Sequence, residues 1–297
     1  MINLYIISNL EQIAHEHYLA IEDYVTHRAS TQNNLANLNL KIKQCFGQDY
    51  DLKKLILAKP EQLEQLSLTC KSGKCEEFSF IQTLYGYFNG NTLNPYNARV
   101  LIQKLGIKVC PYCNRNYIYN VDDNKRTSEF DHFYPQAHYP FLAMSFYNLI
   151  PSCKVCNSLK NEKDLKINPY DARFDKQKHI TFSFSPKNIN FYHSEKAIKP
   201  KYIFTQDKES TIHDFKTFEL FKLYTHHKDI VLELIQKSVM YNESYIDELM
   251  QNYEGTLFKN KEDLLRLIFG GYIADEDLHK RPLSKLTKDI LEQLEII

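Results

Sequence analysis

The sequence predicts an α+β chain that is mostly helical, in which a small cysteine-stapled core lies between two helical regions. Two observations support this fold class. Apolar residues recur at helical spacing in the first and last thirds of the chain. Between them, two Cys-x-x-Cys pairs enclose a segment rich in turn and strand residues. We therefore expect three regions: an N-terminal helical region (1–106), a small core (107–168), and short strands followed by a C-terminal helical region (169–297).

The N-terminal region is predicted to begin with a long helix. Ser8-x-x-Glu11 matches a capping box. Apolar residues at helical spacing follow it and indicate one buried stripe: Leu10, Ile13, Ala14, Tyr18, Ile21, Tyr24 and Val25. Further helices are expected at 33–45, 51–58, 60–68 and 77–88. Asn94-Pro95 predicts the start of another helix, which Gly106 ends. Cys45 is expected in the core, and Cys70 and Cys75 are interpreted as incidental loop thiols.

The C-terminal region is predicted to begin with two short strands. Residues 179–184 alternate as a strand does, and residues 202–204 can pair with them. Helical spacing returns at 216–255, 261–269 and 284–297, and Pro282 precedes the last helix. The His226-His227 doublet within the first of these segments has no assigned carboxylate partner and is interpreted as a helix surface.

Composition excludes some classes of protein. With 297 residues, 43% of them hydrophobic, the chain can bury a substantial core. Charge is balanced at 37 basic and 37 acidic residues, so no global field indicates a nucleic-acid partner; residues 100–180 carry a modest excess, 12 Lys and Arg against 8 Asp and Glu. No apolar run approaches 18 residues, so we expect no membrane span. No secretory signal is recognised, and we expect a reducing, cytoplasmic location.

The cysteine pairs Cys110/Cys113 and Cys153/Cys156 have the spacing of zinc ligands. Each Cys-x-x-Cys turn presents two thiolates, and two such turns close a tetrahedral structural site. The 39 residues between Cys113 and Cys153 exceed what a plain zinc ribbon holds, so they form an insert. The alternatives are two disulfides or four unrelated buried thiols, which a reducing compartment disfavours.

The insert is predicted to form a ββα unit. Residues 115–121 and 126–132 read as a hairpin around the turn Asp122-Asp123-Asn124, and residues 154–161 as a short helix. His132 then lies at a strand end and Asn157 in the first turns of the helix. Oxygens of Asp131 and Asn157 can hold one divalent ion, and hard oxygen ligands favour Mg²⁺ over zinc.

This segment resembles the HNH family of ββα-metal endonucleases, in the branch that carries zinc knuckles. The resemblance covers about 52 of the 297 residues and rests on these matches: Cys110-x-x-Cys113, Asp131-His132-x-x-Pro135, Asn148-Leu149, and Cys153-x-x-Cys156-Asn157-x-x-Lys160. It implies that His132 is the general base, that Asp131 and Asn157 bind the catalytic Mg²⁺ or Mn²⁺, and that Asn148 braces the loop that holds the histidine. Many relatives have histidine at the position of Asn157.

Several other residues near the signature are open to two interpretations. Arg115 and Lys160 are phosphate contacts if the site is a nuclease, or solvated charges otherwise. Asn161 is a possible substitute ligand one helical turn beyond Asn157, and His138 is interpreted as an exposed loop histidine.

The resemblance implies metal-dependent hydrolysis of phosphodiester bonds in nucleic acid, with DNA the favoured substrate. It also implies a role in bacterial defence or restriction, sometimes beside an ATPase partner. Two alternatives remain: a catalytically silent zinc module that binds nucleic acid or a partner, and an interaction protein whose helical regions carry the nuclease as an effector.

Overall fold

The computed structural model describes residues 2–69, 78–90, 95–122 and 125–297, and it confirms the predicted fold class. The chain is mostly helical, and its strands form two small two-stranded antiparallel sheets. Cys70, Cys75, Asn94, Asp123 and Asn124, on which some of the predictions fall, lie outside the described residues. Within the described residues, no helix combines the length and apolar character that a membrane span requires.

Contacts group the chain into two compact units. The N-terminal unit comprises Asn3–Ile107 and Ile118–Arg173, and the C-terminal unit comprises Lys108–Tyr117 and Phe174–Ile297 together with Ile2. The three-region division along the sequence stays a prediction.

In the part of the N-terminal unit that the structure describes, six α-helices precede the sheet, close to the positions that the sequence predicts. They are α1 (Leu10–His27), α2 (Leu35–Phe46), α3 (Leu52–Ile56), α4 (Pro60–Thr69), α5 (Ser79–Asn89) and α6 (Ala98–Leu105).

Helix α1 buries the predicted apolar stripe except for Tyr24, which is only partly buried. His17, which was not predicted as part of the stripe, is buried as well. The predicted capping box is wrong. Asn9 is the N-cap, at a φ of 59°, and makes no side-chain capping bond.

The start of α6 and the burial of Cys45 differ from the predictions. Helix α6 begins at Ala98, so the prediction that Pro95 is its first residue is wrong. The N-cap of α6 is Asn97, whose Oδ1 accepts hydrogen bonds from the backbone N–H groups of Arg99 and Val100, and Gly106 ends the helix in the left-handed region as predicted. Cys45 on α2 is only partly buried, so its prediction as a core residue is wrong.

The ββα unit forms with a different first pairing from the one predicted. Strand β1 (Ser128–His132) pairs antiparallel with β2 (Leu149–Cys153), and helix α7 (Lys154–Lys160) follows β2 directly. The segment predicted as the first strand forms only isolated bridges, among them Asn120 with Arg126. The difference follows from burial. Four of the five residues of β1 are buried, and a buried strand is stabilised by a partner strand that is buried as well. All residues of β2 are buried, so β2 meets this requirement.

The C-terminal unit contains the second sheet and the remaining helices. Strands β3 (Ile180–Pro186) and β4 (Ile198–Phe204) pair antiparallel, with Phe182 opposite Tyr202, as the alternation predicts. The helices are α8 (Lys176–His179), α9 (Lys208–Thr217), α10 (Leu220–Tyr224), α11 (Lys228–Met240), α12 (Glu243–Tyr253), α13 (Lys261–Phe269) and α14 (Ser284–Gln293).

Side chains of α14 complete one edge of the second sheet. Asp289 Oδ2 accepts the backbone N–H of Phe182, and Gln293 Oε1 accepts that of Phe184. These two bonds satisfy donors that a bare strand edge would leave open.

Candidate functional site

The four cysteines of the two pairs form one buried cluster. The Sγ atoms of Cys110, Cys113, Cys153 and Cys156 all lie within 4.8 Å of one another. No disulfide links any of the four, so the disulfide alternative does not describe the structure. A tetrahedral zinc site with Zn–S bonds of about 2.3 Å separates its sulfurs by about 3.8 Å. The cluster therefore has the ligand type, number and spacing to hold a metal such as zinc.

The first Cys-x-x-Cys turn is built by local backbone bonds. The N–H of Cys110 donates to the Asn116 carbonyl at 3.0 Å, and Val109 forms a β-bridge with Tyr117. The N–H of Arg115 points at Cys113 Sγ, 3.4 Å away. Such N–H···S bonds stabilise thiolate over thiol, which suits a metal ligand.

Asn114 anchors this turn, and sequence reasoning missed it. Its backbone lies in the left-handed region, with φ of 50°, which asparagine tolerates better than most residues. Its buried side chain donates to the Leu278 carbonyl at 3.0 Å and accepts the Lys285 N–H at 2.9 Å. A polar residue directly after the second cysteine of the pair was the available signal.

A cavity of about 410 Å³ in the N-terminal unit brings together Asp131, His132 and Asn157. Asn161 also lines it, so the candidate substitute ligand shares the cavity. The rest of its wall is formed by Tyr85, Phe130, Pro135, Gln136, Ala137, Ser158 and Glu162. Strand β1, the loop after it and helix α7 thus converge on one polar depression.

His132 is held in one tautomer. Its Nε2 lies 3.0 Å from the Ala143 carbonyl oxygen, which can only accept, so Nε2 carries the proton and the Nδ1 lone pair is available. Burial lowers the pKa of His132 to about 4, and the ring is neutral at pH 7. Tyr85 of α5 packs edge-on against the ring with centroids 4.4 Å apart. Tyr85 comes from a helix distant in sequence, so no local pattern could have nominated it.

Asn148 has the contacts of a brace for the loop after β1. Its Oδ1 accepts the Tyr134 N–H at 2.7 Å, and its Nδ2 donates to the carbonyls of Tyr134 and Leu142 at 3.1 and 3.0 Å. The side chain is fully buried. It therefore ties the loop that follows His132 to the segment that supplies the Ala143 carbonyl.

Lys160 is buried beside Asp131, which rules out the solvated charge that was one of its two interpretations. Its side chain is 0% exposed, and its Nζ lies 3.1 Å from Asp131 Oδ1. The same ammonium donates to the backbone carbonyl of His132 at 2.7 Å. Helix periodicity explains the difference, because Lys160 follows Cys156 by four residues and shares its buried face.

Asn157 is oriented by a carboxylate that sequence reasoning did not single out. Its Nδ2 donates to Glu129 Oε2 at 2.6 Å. Glu129 lies two residues before Asp131 on β1, and alternate residues of a strand share a face. That period of two was the signal in the sequence.

Arg115 belongs to the C-terminal unit. Its Nε donates to His227 Nε2 at 2.8 Å, and its guanidinium lies over the Tyr224 ring, 5.9 Å from the centroid. Burial lowers the pKa of His227. The interpretation of the His226-His227 doublet as a plain helix surface is wrong for His227, which lies in a 3₁₀ turn and accepts this bond.

Comparison with known proteins gives two partial similarities. No protein-family model matches the chain, and no solved structure matches it significantly. The chain is similar to the Septu protein PtuB of Bacillus thuringiensis, with 36% identity over 83 residues, which are 27% of this chain and 30% of that protein. It is also similar to protein ea31 of Escherichia phage lambda, with 29% identity over 127 residues, 39% of each chain. The chain thus matches between 30% and 39% of the length of these curated relatives.

Proposed function

We propose that this protein is a metal-dependent endonuclease of the HNH type that acts on nucleic acid, with DNA as the proposed substrate. The observation that carries the proposal is the placement of His132. Its ring is fixed in one tautomer, at a cavity that Asp131 and Asn157 also line. The HNH resemblance of the same residues supports it.

His132 is the general base in this proposal. Nδ1 takes a proton from a water molecule, and that water attacks the phosphorus in line with the leaving 3′ oxygen, giving a 5′-phosphate and a 3′-hydroxyl. The Ala143 carbonyl stabilises the ring when it gains this proton, because it accepts the hydrogen bond from Nε2–H. Asn148 holds this carbonyl in place next to the histidine, because its side chain donates a hydrogen bond to the adjacent Leu142 carbonyl.

The oxygens of Asp131 and Asn157 are the proposed ligands of a catalytic divalent ion, Mg²⁺ or Mn²⁺. The residues fit such an ion, since both line the cavity and both offer hard oxygen atoms. When bound, a divalent ion supplies the charge that stabilises the departing oxygen. In this proposal Lys160 positions Asp131 through their buried ion pair rather than contacting phosphate. Arg115 remains a proposed phosphate contact, with its orientation set by His227.

The cysteine cluster is proposed to hold one structural zinc. Cys153 ends β2, and Cys156 lies in the first turn of α7. Zinc at these thiolates fixes the junction between strand and helix, on which the positions of Asp131 and Asn157 depend.

A role as an effector in bacterial antiviral defence or restriction is proposed as the biological setting. The partial similarity to the Septu protein PtuB supports it, as does the resemblance to defence-associated HNH proteins. An ATPase or another defence protein is the proposed partner. The balanced charge of the chain fits an effector that a partner brings to its substrate.

The direct test is cleavage by purified, zinc-loaded protein of plasmid, single-stranded DNA and RNA, with Mg²⁺ or Mn²⁺ and with chelator. Cleavage of at least one substrate that chelation abolishes is expected. Binding without cleavage under every metal and substrate would favour the catalytically silent zinc module instead.

A further inference from the structure

Glu129 makes a contact at the candidate site that no sequence motif assigns. It lies on β1 two residues before Asp131 and is partly buried. Its Oε2 accepts a 2.6 Å hydrogen bond from Nδ2 of Asn157, which lies on α7. The bond joins strand and helix across the ββα unit, whose β1 and α7 are in direct contact.

The chemistry of this bond fixes which atom of Asn157 faces the carboxylate. A carboxylate only accepts, so the amide nitrogen must face Glu129. The amide oxygen is on the other side of the planar group. No hydrogen-bond partner occupies that oxygen among the described residues, and Asn157 lines the cavity beside Asp131 and His132.

We propose that Glu129 is a positioning residue that turns the Asn157 amide oxygen toward the cavity as a ligand for a divalent cation. This inference rests on the proposed nuclease function. Without Glu129 the amide can rotate by half a turn at little cost and present nitrogen, which cannot bind a cation.

The test is Mn²⁺ affinity of zinc-loaded protein, measured by electron paramagnetic resonance without substrate. Glu129→Ala should weaken Mn²⁺ binding by about tenfold or more, the size of effect that outer partners of metal ligands have. Glu129→Gln should lose less, because its amide oxygen still accepts from Asn157. Asp49→Asn, an exposed carboxylate outside the cavity lining, serves as the charge control and should bind Mn²⁺ as the parent does.

The decisive variant combines Glu129→Ala with Asn157→Ala. If Glu129 acts through Asn157, the double variant should bind Mn²⁺ as Asn157→Ala does, within about twofold. Losses that multiply would overturn the inference, because Glu129 would then act independently of the amide. So would a Glu129→Ala variant, or an Asn157→Ala variant, with the parent's affinity.

Failure of the inference is distinguishable from failure of the proposed function. A parent protein that binds Mn²⁺ and cleaves, with Glu129→Ala unchanged, refutes the inference alone. A parent that binds no Mn²⁺ and cleaves nothing refutes the function, and the inference with it. Circular dichroism and zinc content verify that each variant is folded.

Discussion

The buried ion pair between Lys160 and Asp131 gives the most quantitative prediction. Replacing Lys160 with methionine removes an ammonium that lies 3.1 Å from Asp131 Oδ1 and leaves a carboxylate 3% exposed without that charge. Coulomb attraction at this distance is about 5 kcal/mol at an effective dielectric constant of about 20. Breaking buried pairs costs about 3–5 kcal/mol in measured cases. We therefore expect Lys160→Met to lower the free energy of unfolding by about 3–5 kcal/mol.

The assay is urea unfolding followed by circular dichroism, with zinc retained. Lys163→Met is the matched control, since Lys163 follows the same helix and its exposed Nζ bonds only a backbone carbonyl. It should change stability by less than about 0.5 kcal/mol. Asp131→Asn combined with Lys160→Met should recover part of the loss, because no carboxylate is then buried without the Lys160 ammonium. A Lys160→Met variant as stable as Lys163→Met would refute this reasoning.

Three further predictions concern zinc, pH and nucleic acid. The protein should hold about one zinc per chain by elemental analysis, and Cys153→Ser should lose the zinc and unfold the ββα unit; folded parent protein without zinc would contradict this. Burial lowers the pKa of His17 to about 4, as it does for His132, so below about pH 6.5 the unfolded state takes up these protons before the folded state does. His17 should contribute about 3 kcal/mol to the loss of stability between pH 6.5 and pH 4, and His17→Gln should reduce the slope by that share in urea titrations at each pH. DNA binding by the isolated protein should be weak near physiological salt, and Arg115→Ala should reduce the logarithmic salt slope by about one, whereas a steep slope unaffected by Arg115 would indicate another basic surface.

The helices and the cysteine cluster could be predicted from the sequence because their signals are local. The spacing of apolar residues predicts helices such as α13, and the spacing within each Cys-x-x-Cys pair is typical of metal ligands. The same holds for α7, which directly follows Cys153.

Strand pairing could not be predicted in the same way, because it depends on what each face buries. Residues 115–121 look like a strand, yet Tyr117, Tyr119 and Val121 are 46%, 46% and 59% exposed. The partner of β1 is β2, where Leu149 and Ile150 are fully buried. The turn residue Asp122 favours pairing of residues 126–132 with the adjacent segment 115–121. Strand β1 pairs with the more distant β2 instead, because both strands are buried.

The candidate site shows the same limit at the level of side chains. Asp131 and His132 are adjacent in the sequence, so a motif finds them together. Lys160 looks like a phosphate ligand in sequence, but the helix turns it inward to Asp131, and Glu129 gains a role only once β1 and α7 are packed. Contacts between elements determine these roles.

Cleavage by His132→Ala tests the central claim most directly. The measurement is single-turnover cleavage of the best substrate with saturating Mn²⁺, comparing the parent, His132→Ala and His138→Ala. His138 is the control because it is an exposed histidine of the same loop, with its Nε2 3.8 Å from Oε2 of Glu162. Loss of a general base lowers the rate of the chemical step by about 10²–10⁴-fold. The cleavage rate of His132→Ala should therefore fall by at least about 10²-fold while the variant retains its zinc. His138→Ala should cleave at the parent's rate. If His132→Ala cleaves as fast as the parent with every metal, His132 is not the base and the nuclease assignment of this cavity is wrong.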